Sequence, residues 1–326
     1  MKNFFLNFYL FIFSNIIYGQ NNSFEFLKIP VDAKLNALGG YNITLSSENN
    51  NFFYNNPATI KNGKNKTISA SFLNYLANIK GTNIYYIDSV EFIGKFGIGI
   101  KHFNYGKTDS YDMLGNYLGI IEGNEFELIL SKSKQMGQFI YGANIKYIYS
   151  KITNHINNAI FFDLGGILYP TYNKEFSIGI SLRNFGFLFS EFKNQKNNIL
   201  PFDVQLGTTI KPEYMPLRFS ITIFNIYNGN KKNISNKENS FSNKLLSKIN
   251  LGTEILISKN INLQLGYNYL KRKELSYETR KGGSGFSYGI LLKIKRICIN
   301  YARSLYNIPG ESNSISLSLN VKNIIK

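Results

Sequence analysis

The strongest constraint on this chain is an alternation of apolar and polar residues with a period of two. It recurs in stretches of about ten residues from Thr67 onward, the length that a tilted strand needs to cross a bilayer. In one stretch the apolar and the polar residues fall on opposite faces: Ile261, Leu263, Leu265, Tyr267 and Tyr269 against Asn262, Gln264, Gly266 and Asn268. The pattern predicts an all-β fold, a transmembrane antiparallel β-barrel of about 14 strands.

The spacing of the strands supports a membrane barrel. We place the strands near residues 67–77, 82–88, 92–103, 124–133, 139–151, 158–169, 175–184, 201–210, 217–227, 248–257, 261–271, 285–294, 297–304 and 314–322. Every second link is short, and the links between those are mostly long, namely 104–123, 185–200, 228–247 and 272–284, with 78–81 as the exception. Membrane barrels have short periplasmic turns and longer outer loops, so both termini are expected in the periplasm. Tyrosines predicted at the outer strand ends fit an interfacial girdle: Tyr147, Tyr149, Tyr227, Tyr267, Tyr269 and Tyr301.

The face opposite the apolar one is expected to line the lumen. It carries Lys101, Glu127, Asn144, Lys146, Asp163, Arg183, Asp203, Gln205, Glu254, Gln264, Lys293 and Asn300. Glycines concentrate on the same face: Gly97, Gly99, Gly142, Gly165, Gly179, Gly207, Gly252, Gly266 and Gly289. Glycine in a strand marks a bend or the close approach of another backbone. We therefore expect residues 20–66 to form an N-terminal periplasmic or plug segment that fills the barrel of residues 67–326.

The first 19 residues predict export. Lys2 precedes an apolar run that ends at Gly19, which is the pattern of a signal peptide cleaved after that residue. An N-terminal membrane anchor is the alternative, although Asn7, Ser14 and Asn15 interrupt the run and shorten it. No later stretch approaches 18 apolar residues, so the predicted location is the outer membrane of a Gram-negative bacterium.

The charge distribution argues against a nucleic-acid-binding protein, and the cysteine content excludes an intrachain disulfide. The net charge is +17, from 37 basic and 20 acidic residues, but the lysines are scattered and form no basic stripe, so nucleic-acid binding is not expected. A single cysteine, Cys298, cannot close an intrachain disulfide. Two predicted outer loops are basic, which either reflects the overall lysine content or attracts lipopolysaccharide phosphates.

Residues that could support catalysis are few. The chain has two histidines, His102 and His155, and no Gly-x-Ser-x-Gly motif. Glu125 and Glu127 lie on one strand face about 7 Å apart, where a hydrated lumen rim is a simpler explanation than acid–base chemistry. No Cys/His cluster has the spacing of metal ligands. We expect no enzyme activity, cofactor or metal.

The segment before the barrel contains two local motifs. Val31–Leu38 predicts a short helix that starts near Asp32 and stops at Gly39-Gly40. Asn55-Asn56-Pro57 predicts a turn, because proline fixes φ and biases the residue before it to extended geometry. These motifs either shape the plug or contact a partner or ligand.

These motifs carry a family resemblance. The stretches FLKIPVDAKLNALGG (Phe26–Gly40), NITL (Asn42–Leu45) and FFYNNPA (Phe52–Ala58) resemble the start of PorV/PorQ-type barrels, which look like the FadL fatty-acid-transporter fold. The motif residues are Leu38, Gly39, Gly40, Asn55, Asn56, Pro57 and Ala58. The chain departs from many outer-membrane barrels by ending in Lys326 and not in an aromatic residue.

The resemblance implies a non-enzymatic outer-membrane component of the type IX protein secretion system of Bacteroidota. Such a barrel would anchor a PorZ-like surface protein beside a PorU/PorV-type attachment complex, with loops 185–200, 228–247 and 272–284 as the expected docking surface. Two alternatives remain open. A FadL-like transporter of hydrophobic molecules needs an apolar path and a lateral opening, which the polar inner face does not favour. A lipid A-modifying enzyme needs a His–Ser–acid set.

Overall fold

Fourteen strands form a closed antiparallel barrel. The computed structural model describes residues 21–22, 24–45, 52–62, 65–153, 155–171, 173–189, 198–227, 245–275, 282–306 and 310–321. The barrel strands are β1 Thr67–Asn74, β2 Lys80–Val90, β3 Gly94–Tyr111, β4 Tyr117–Met136, β5 Phe139–Ile152, β6 His155–Leu168, β7 Phe176–Leu188, β8 Asp203–Ile210, β9 Leu217–Ile223, β10 Ile249–Leu256, β11 Ile261–Asn268, β12 Phe286–Ile294, β13 Ile297–Leu305 and β14 Glu311–Asn320. The predicted strand count and fold class are confirmed.

Each strand pairs with its sequence neighbours, and the last strand closes on the first. In that closing pair Asn313 lies opposite Asn74 and Asn320 opposite Thr67. Six links at one end of the barrel are short: 91–93, 137–138, 169–175, 211–216, 257–260 and 295–296. We call this the short-turn end. The opposite, long-loop end carries the links 189–202, 224–248 and 269–285.

The two faces of the wall have opposite polarity. Outward side chains are large, apolar and exposed, as at Ile98, Ile100 and Leu128. Of the twelve residues predicted to line the lumen, eleven are buried, and Lys293 at the short-turn end is half-buried. Burying polar residues inside and exposing apolar ones outside is favourable only when the surroundings are hydrocarbon. The wall is therefore built to stand in a membrane.

The structure corrects three element boundaries. Residues 104–123, predicted to be a loop, mostly continue β3 and β4 as a hairpin with its turn at 112–116. Tyr269, predicted at a strand end, begins the short helix α2 (Tyr269–Leu275). The first link at the long-loop end spans 75–79 and contains the 3-10 turn Leu76–Asn78.

The segment before β1 is irregular apart from three short helical pieces. These are the 3-10 helix Glu25–Lys28, the predicted helix α1 (Ala33–Ala37) and the 3-10 helix Pro57–Asn62. Asp32 caps α1 by accepting a hydrogen bond from Leu35 N at 3.1 Å, as the sequence predicted. Asn21–Asn22 forms a two-residue parallel pair with Asn198–Ile199.

Among the described residues, no helix is both long and apolar enough to cross a bilayer. The predicted signal peptide, residues 1–19, lies outside the described residues.

Candidate functional site

The candidate site is the contact between the N-terminal segment and the inner wall of the barrel. All nine glycines predicted to mark a close approach meet this segment. A Cβ built on any of them would lie within 3.2 Å of an atom from residues 37–60. The glycines therefore make room for a second chain segment, as proposed for glycine in strands. They are Gly97, Gly99, Gly142, Gly165, Gly179, Gly207, Gly252, Gly266 and Gly289.

The first motif, Leu38-Gly39-Gly40, ends α1 against β10 and β11. Gly39 and Gly40 have φ angles of +92° and +102°, a region that side chains with a Cβ disfavour. This turn lets Asn250 Nδ2 donate to Leu38 O at 2.8 Å and Asn268 Nδ2 donate to Gly39 O at 3.2 Å. The motif thus joins the segment to two strands at the long-loop end.

Helix α2 lies against the same turn at the long-loop end of the barrel. The ammonium of Lys271 lies beside Gly40 and 5.8 Å from the centre of the Tyr306 ring. Burial lowers the pKa of Lys271 because desolvation disfavours the charged form. Tyr41 stacks on Phe224 beside this turn, with ring centroids 3.9 Å apart. Residues at the long-loop end, including Lys271 and Phe224, therefore contact the Gly39-Gly40 turn and the residue after it.

The second motif, Asn55-Asn56-Pro57-Ala58, contacts a different part of the wall. Ser181 Oγ on β7 donates to Asn55 O at 2.6 Å. Asn56 Nδ2 donates to Ile43 O at 2.8 Å, and Asn56 Oδ1 accepts from Ala58 N at 3.0 Å. Pro57 opens the 3-10 helix, where its missing N–H costs nothing. The two predicted motifs are thus not brought together; each fixes one part of the segment.

A buried ion pair links the segment to the wall. Lys34 Nζ on α1 lies 2.7 Å from Glu254 Oε1 on β10, and both side chains are at most 2% exposed. Arg218 on β9 reaches the other oxygen of Glu254, also at 2.7 Å. A buried ion needs such partners, because removing one of them leaves an uncompensated charge.

A second charged cluster lies on β3 to β6. Lys146 Nζ is 2.7 Å from Asp163 Oδ2 and 3.5 Å from Glu127 Oε1, and Lys101 Nζ is 3.7 Å from Glu127 Oε2. Lys101 also donates to the backbone oxygen of Phe26 at 3.0 Å. The cluster therefore neutralises its own charges and binds the segment through a main-chain carbonyl.

One small cavity lies between the segment and the wall. Its volume is about 30 Å³, which holds about two water molecules. Its lining is mixed in charge and includes Asp32, Lys101, Glu127 and Arg183. Among the described residues, six atoms of the lining side chains have no hydrogen-bond partner: Asp32 Oδ2, Tyr54 OH, Asn55 Nδ2, Asn83 Oδ1, Arg183 Nε and Glu127 Oε1, the last of which lies 3.5 Å from Lys146 Nζ. Polar groups of this kind are normally satisfied by buried water.

The residues considered for chemistry are engaged in other contacts. His102 stacks on Phe126, and its Nε2 lies 3.1 Å from Asn124 Oδ1. Glu125 accepts hydrogen bonds from Tyr105 and Ser150, and Glu127 pairs with the two lysines described above. Within the described ranges, no group of His, Cys, Asp or Glu residues is arranged to hold a metal.

Sequence reasoning missed the residues on the segment that pair with the wall. Lys34 was not predicted to be inside, because a lysine in a short polar-apolar helix is normally exposed. Thr44, whose hydroxyl lies 2.7 Å from that of Thr209, was also missed. A usable signal was the inward position of Glu254, because a buried carboxylate has to be paired with cations.

Comparison with known proteins gives the fold. No family model matches the chain, and no curated protein matches it. The toluene transporter TodX of P. putida is 11% identical, with a TM-score of 0.57 over 90% of this chain and 99% of that one. A FadL homologue of Pseudomonas aeruginosa is 9% identical, with a TM-score of 0.54 over 90% and 99%. The CymD monoaromatic hydrocarbon channel is 10% identical, with a TM-score of 0.53 over 90% and 97%.

At these identities the likeness concerns the fold alone. The chain is a closed 14-stranded antiparallel β-barrel with the architecture of FadL-like outer-membrane barrels. Its apolar outer wall agrees with an outer-membrane location.

Proposed function

We propose that this protein is a FadL-like outer-membrane transporter of hydrophobic molecules, with its N-terminal segment acting as the plug. The observation that carries the proposal is a FadL-like barrel in which the nine glycines named above all contact that segment. Two structurally similar proteins are a toluene transporter and a monoaromatic hydrocarbon channel. No enzyme activity is included in the proposal.

Transport through this barrel requires movement of the segment or an opening in the wall. The cavity of about 30 Å³ has room for about two waters and none for a hydrocarbon. In this proposal, the part of the chain that the structure describes is in a closed state. Thr44 and Thr209 offer a way to test movement, because their hydroxyls lie 2.7 Å apart on the segment and on β8.

A disulfide lock tests this proposal. The double variant Thr44→Cys/Thr209→Cys, expressed in a deletion strain, should lose uptake of labelled toluene and labelled long-chain fatty acid when oxidised. A reductant should restore it, and Thr44→Cys alone should transport like the wild type. If the oxidised double variant transports normally, the segment does not gate the path. If deletion of the gene leaves uptake unchanged, transport is not the function.

The interior of the barrel supports a second candidate function. The inner wall carries buried ion pairs between apolar clusters, and the segment occupies the interior, which suits a membrane anchor better than an open apolar path. With the PorV/PorQ-like motifs, this supports a PorQ-like role in type IX secretion. A PorZ-like protein and a PorU/PorV-type complex would then be the partners, with lipopolysaccharide attracted to basic outer loops.

The two candidates differ in the phenotype of a deletion strain. Loss of surface-attached cargo that carries type IX sorting domains, with uptake intact, would support the anchor and reject the transporter. Normal cargo attachment with impaired uptake would do the reverse. The predicted docking loops are largely outside the described residues, which omit 190–197, 228–244 and 276–281.

A further inference from the structure

The β3–β4 hairpin extends past its neighbours at the long-loop end. Strand β2 pairs with β3 only as far as Asn104, and β5 pairs with β4 only from Gly123 onward. Residues 105–122 have ladder partners only in each other, as in Lys107 opposite Glu122 and Tyr111 opposite Tyr117. At the base, Tyr105 OH donates to Glu125 and Thr153 N donates to Glu122 O, and these bonds join the stretch to the barrel. We call residues 105–122 the free hairpin. Each of its arms is about 20–25 Å long at the usual rise of a strand.

The free hairpin exposes apolar side chains on both of its faces. Ile120 continues the outward face of β4, and Ile121 lies on the face toward the barrel mouth. Tyr117 and Leu118 lie at a register shift of the hairpin, and both are exposed. At the tip, Leu114 is 88% exposed. A two-stranded ribbon without a packed face is marginally stable in water, and an exposed apolar strand edge favours association. The free hairpin therefore needs a partner to cover it.

The charge of the free hairpin is opposite to that of the whole chain. It carries Asp109, Asp112 and Glu122 against Lys107, a net charge of −2 in a protein of net charge +17. Lys107 and Glu122 lie 3.7 Å apart and offset each other, which leaves the two aspartates. Asp112 also accepts hydrogen bonds from Leu114 N and Asn116 N at 2.8 Å and so fixes the turn.

The charges of the free hairpin indicate which kind of partner can bind it. A lipid surface rich in phosphate would repel the two aspartates. A second copy would stand in the membrane in the same orientation and bring like-charged tips to the same height. A protein with an apolar groove and a basic rim matches both the side chains and the sign of the charge.

We propose that the free hairpin is a docking element for a second protein, which lies beyond the long-loop end and offers an apolar groove with a basic rim. Leu114, Leu118 and Ile120 would fill the groove, and Asp109 would face the rim. This inference goes beyond the proposed transport function, and it deepens the second candidate function by naming the free hairpin as a contact for a surface partner.

Photo-crosslinking in the native host tests the position of the partner. Benzoylphenylalanine replaces Leu114 in the full chain, and Phe92, which is 98% exposed at the short-turn end, carries the same probe as a matched control. We expect a protein adduct at position 114 at least about tenfold above that at position 92. An adduct with lipopolysaccharide, with a second copy or within the same chain would overturn the proposal, as would no adduct.

A charge reversal tests the chemistry of the partner. Asp109→Lys, added to the chain with the probe at 114, should lower adduct yield about fivefold because it repels a basic rim. Glu213→Lys makes the same change in net charge in a short turn and should leave the yield unchanged. Heat-modifiable migration in electrophoresis checks that every variant barrel is folded. An unchanged yield with Asp109→Lys would reject the basic rim.

Discussion

At the scale of single residues, Lys34 joins the N-terminal segment to the barrel wall through a buried ion pair. Its ion pair with Glu254 is 2.7 Å long and almost fully buried. Lys34→Ala leaves that carboxylate with Arg218 alone, and we expect the docked segment to lose about 3–5 kcal/mol. In detergent-solubilised barrels, protease cleavage within residues 24–62 should become at least about 100-fold faster.

A matched control is the exposed ion pair of the same segment. Lys28 lies 2.8 Å from Glu25, but the two side chains are 20% and 48% exposed. Such a surface pair contributes about 0–1 kcal/mol, so Lys28→Ala should change the cleavage rate little. Equal cleavage of Lys34→Ala and Lys28→Ala would show that the buried pair does not hold the segment.

Gly266 tests the close approach of two backbones. A Cβ at this position would overlap Gly39 N and Leu38 C, and a backbone cannot turn aside as a side chain can. We expect Gly266→Ala to cost about 1–3 kcal/mol and to displace the segment. In planar bilayers the wild-type barrel should conduct poorly, and the variant should show intermittent openings.

The neighbouring residue supplies the control for this substitution. Leu265 points outward and is half exposed, so Leu265→Ala removes lipid-facing atoms and leaves the interior unchanged. It should conduct like the wild type. Openings in both variants, or in neither, would contradict a filled interior that depends on Gly266.

At the scale of elements, strands and α1 were predictable because their signals are local. Alternation identifies the wall of β11 or β14, and Asp32 with Gly39 marks both ends of α1. The continuation of β3 and β4 past residue 104 was not predictable from alternation. Residues 105–122 do not bury one face, so apolar and polar positions there follow no period of two. Helix α2 was missed because Tyr267 and Tyr269 continue the strand pattern.

The candidate site was predictable in part for a related reason. The nine inward glycines required a neighbouring backbone, and residues 20–66 were the segment available. Which residue meets which strand depends on tertiary contacts that leave no spacing in the sequence. The pairs Lys34 with Glu254 and Thr44 with Thr209 are more than 160 residues apart.

The free hairpin yields a prediction about the barrel as well. Residues 107–122 have ladder partners only in each other, and one further backbone hydrogen bond runs from Thr153 N to Glu122 O. Replacing them with an Asn-Gly turn should therefore leave folding and heat-modifiable migration unchanged. Deleting the equally long stretch 145–160 should abolish folding, since its arms pair with β4 and β7. Loss of folding on removal of the hairpin would mean that it supports the wall.

At the scale of the whole molecule, the polarity of the wall explains why the N-terminal segment lies in the lumen. An apolar exterior satisfies the bilayer, and the inner wall binds a segment of the same chain through hydrogen bonds to its backbone and through apolar contacts such as Phe26 with Phe103. The inner wall could not remain dry and unpaired, because buried polar groups without partners are costly. The segment thus supplies hydrogen-bond partners that water would otherwise provide.

The short turns define the orientation of the whole barrel in the membrane. Short turns belong to the periplasmic side of such barrels, so the free hairpin should lie outside the cell. Met113 and Phe92 are both exposed, at opposite ends of the barrel, and the native Cys298 is buried. In intact cells a membrane-impermeant maleimide should label Met113→Cys and spare Phe92→Cys until the outer membrane is permeabilised. Labelling of Phe92→Cys but not of Met113→Cys in intact cells would show that the barrel has the opposite orientation, with the free hairpin in the periplasm.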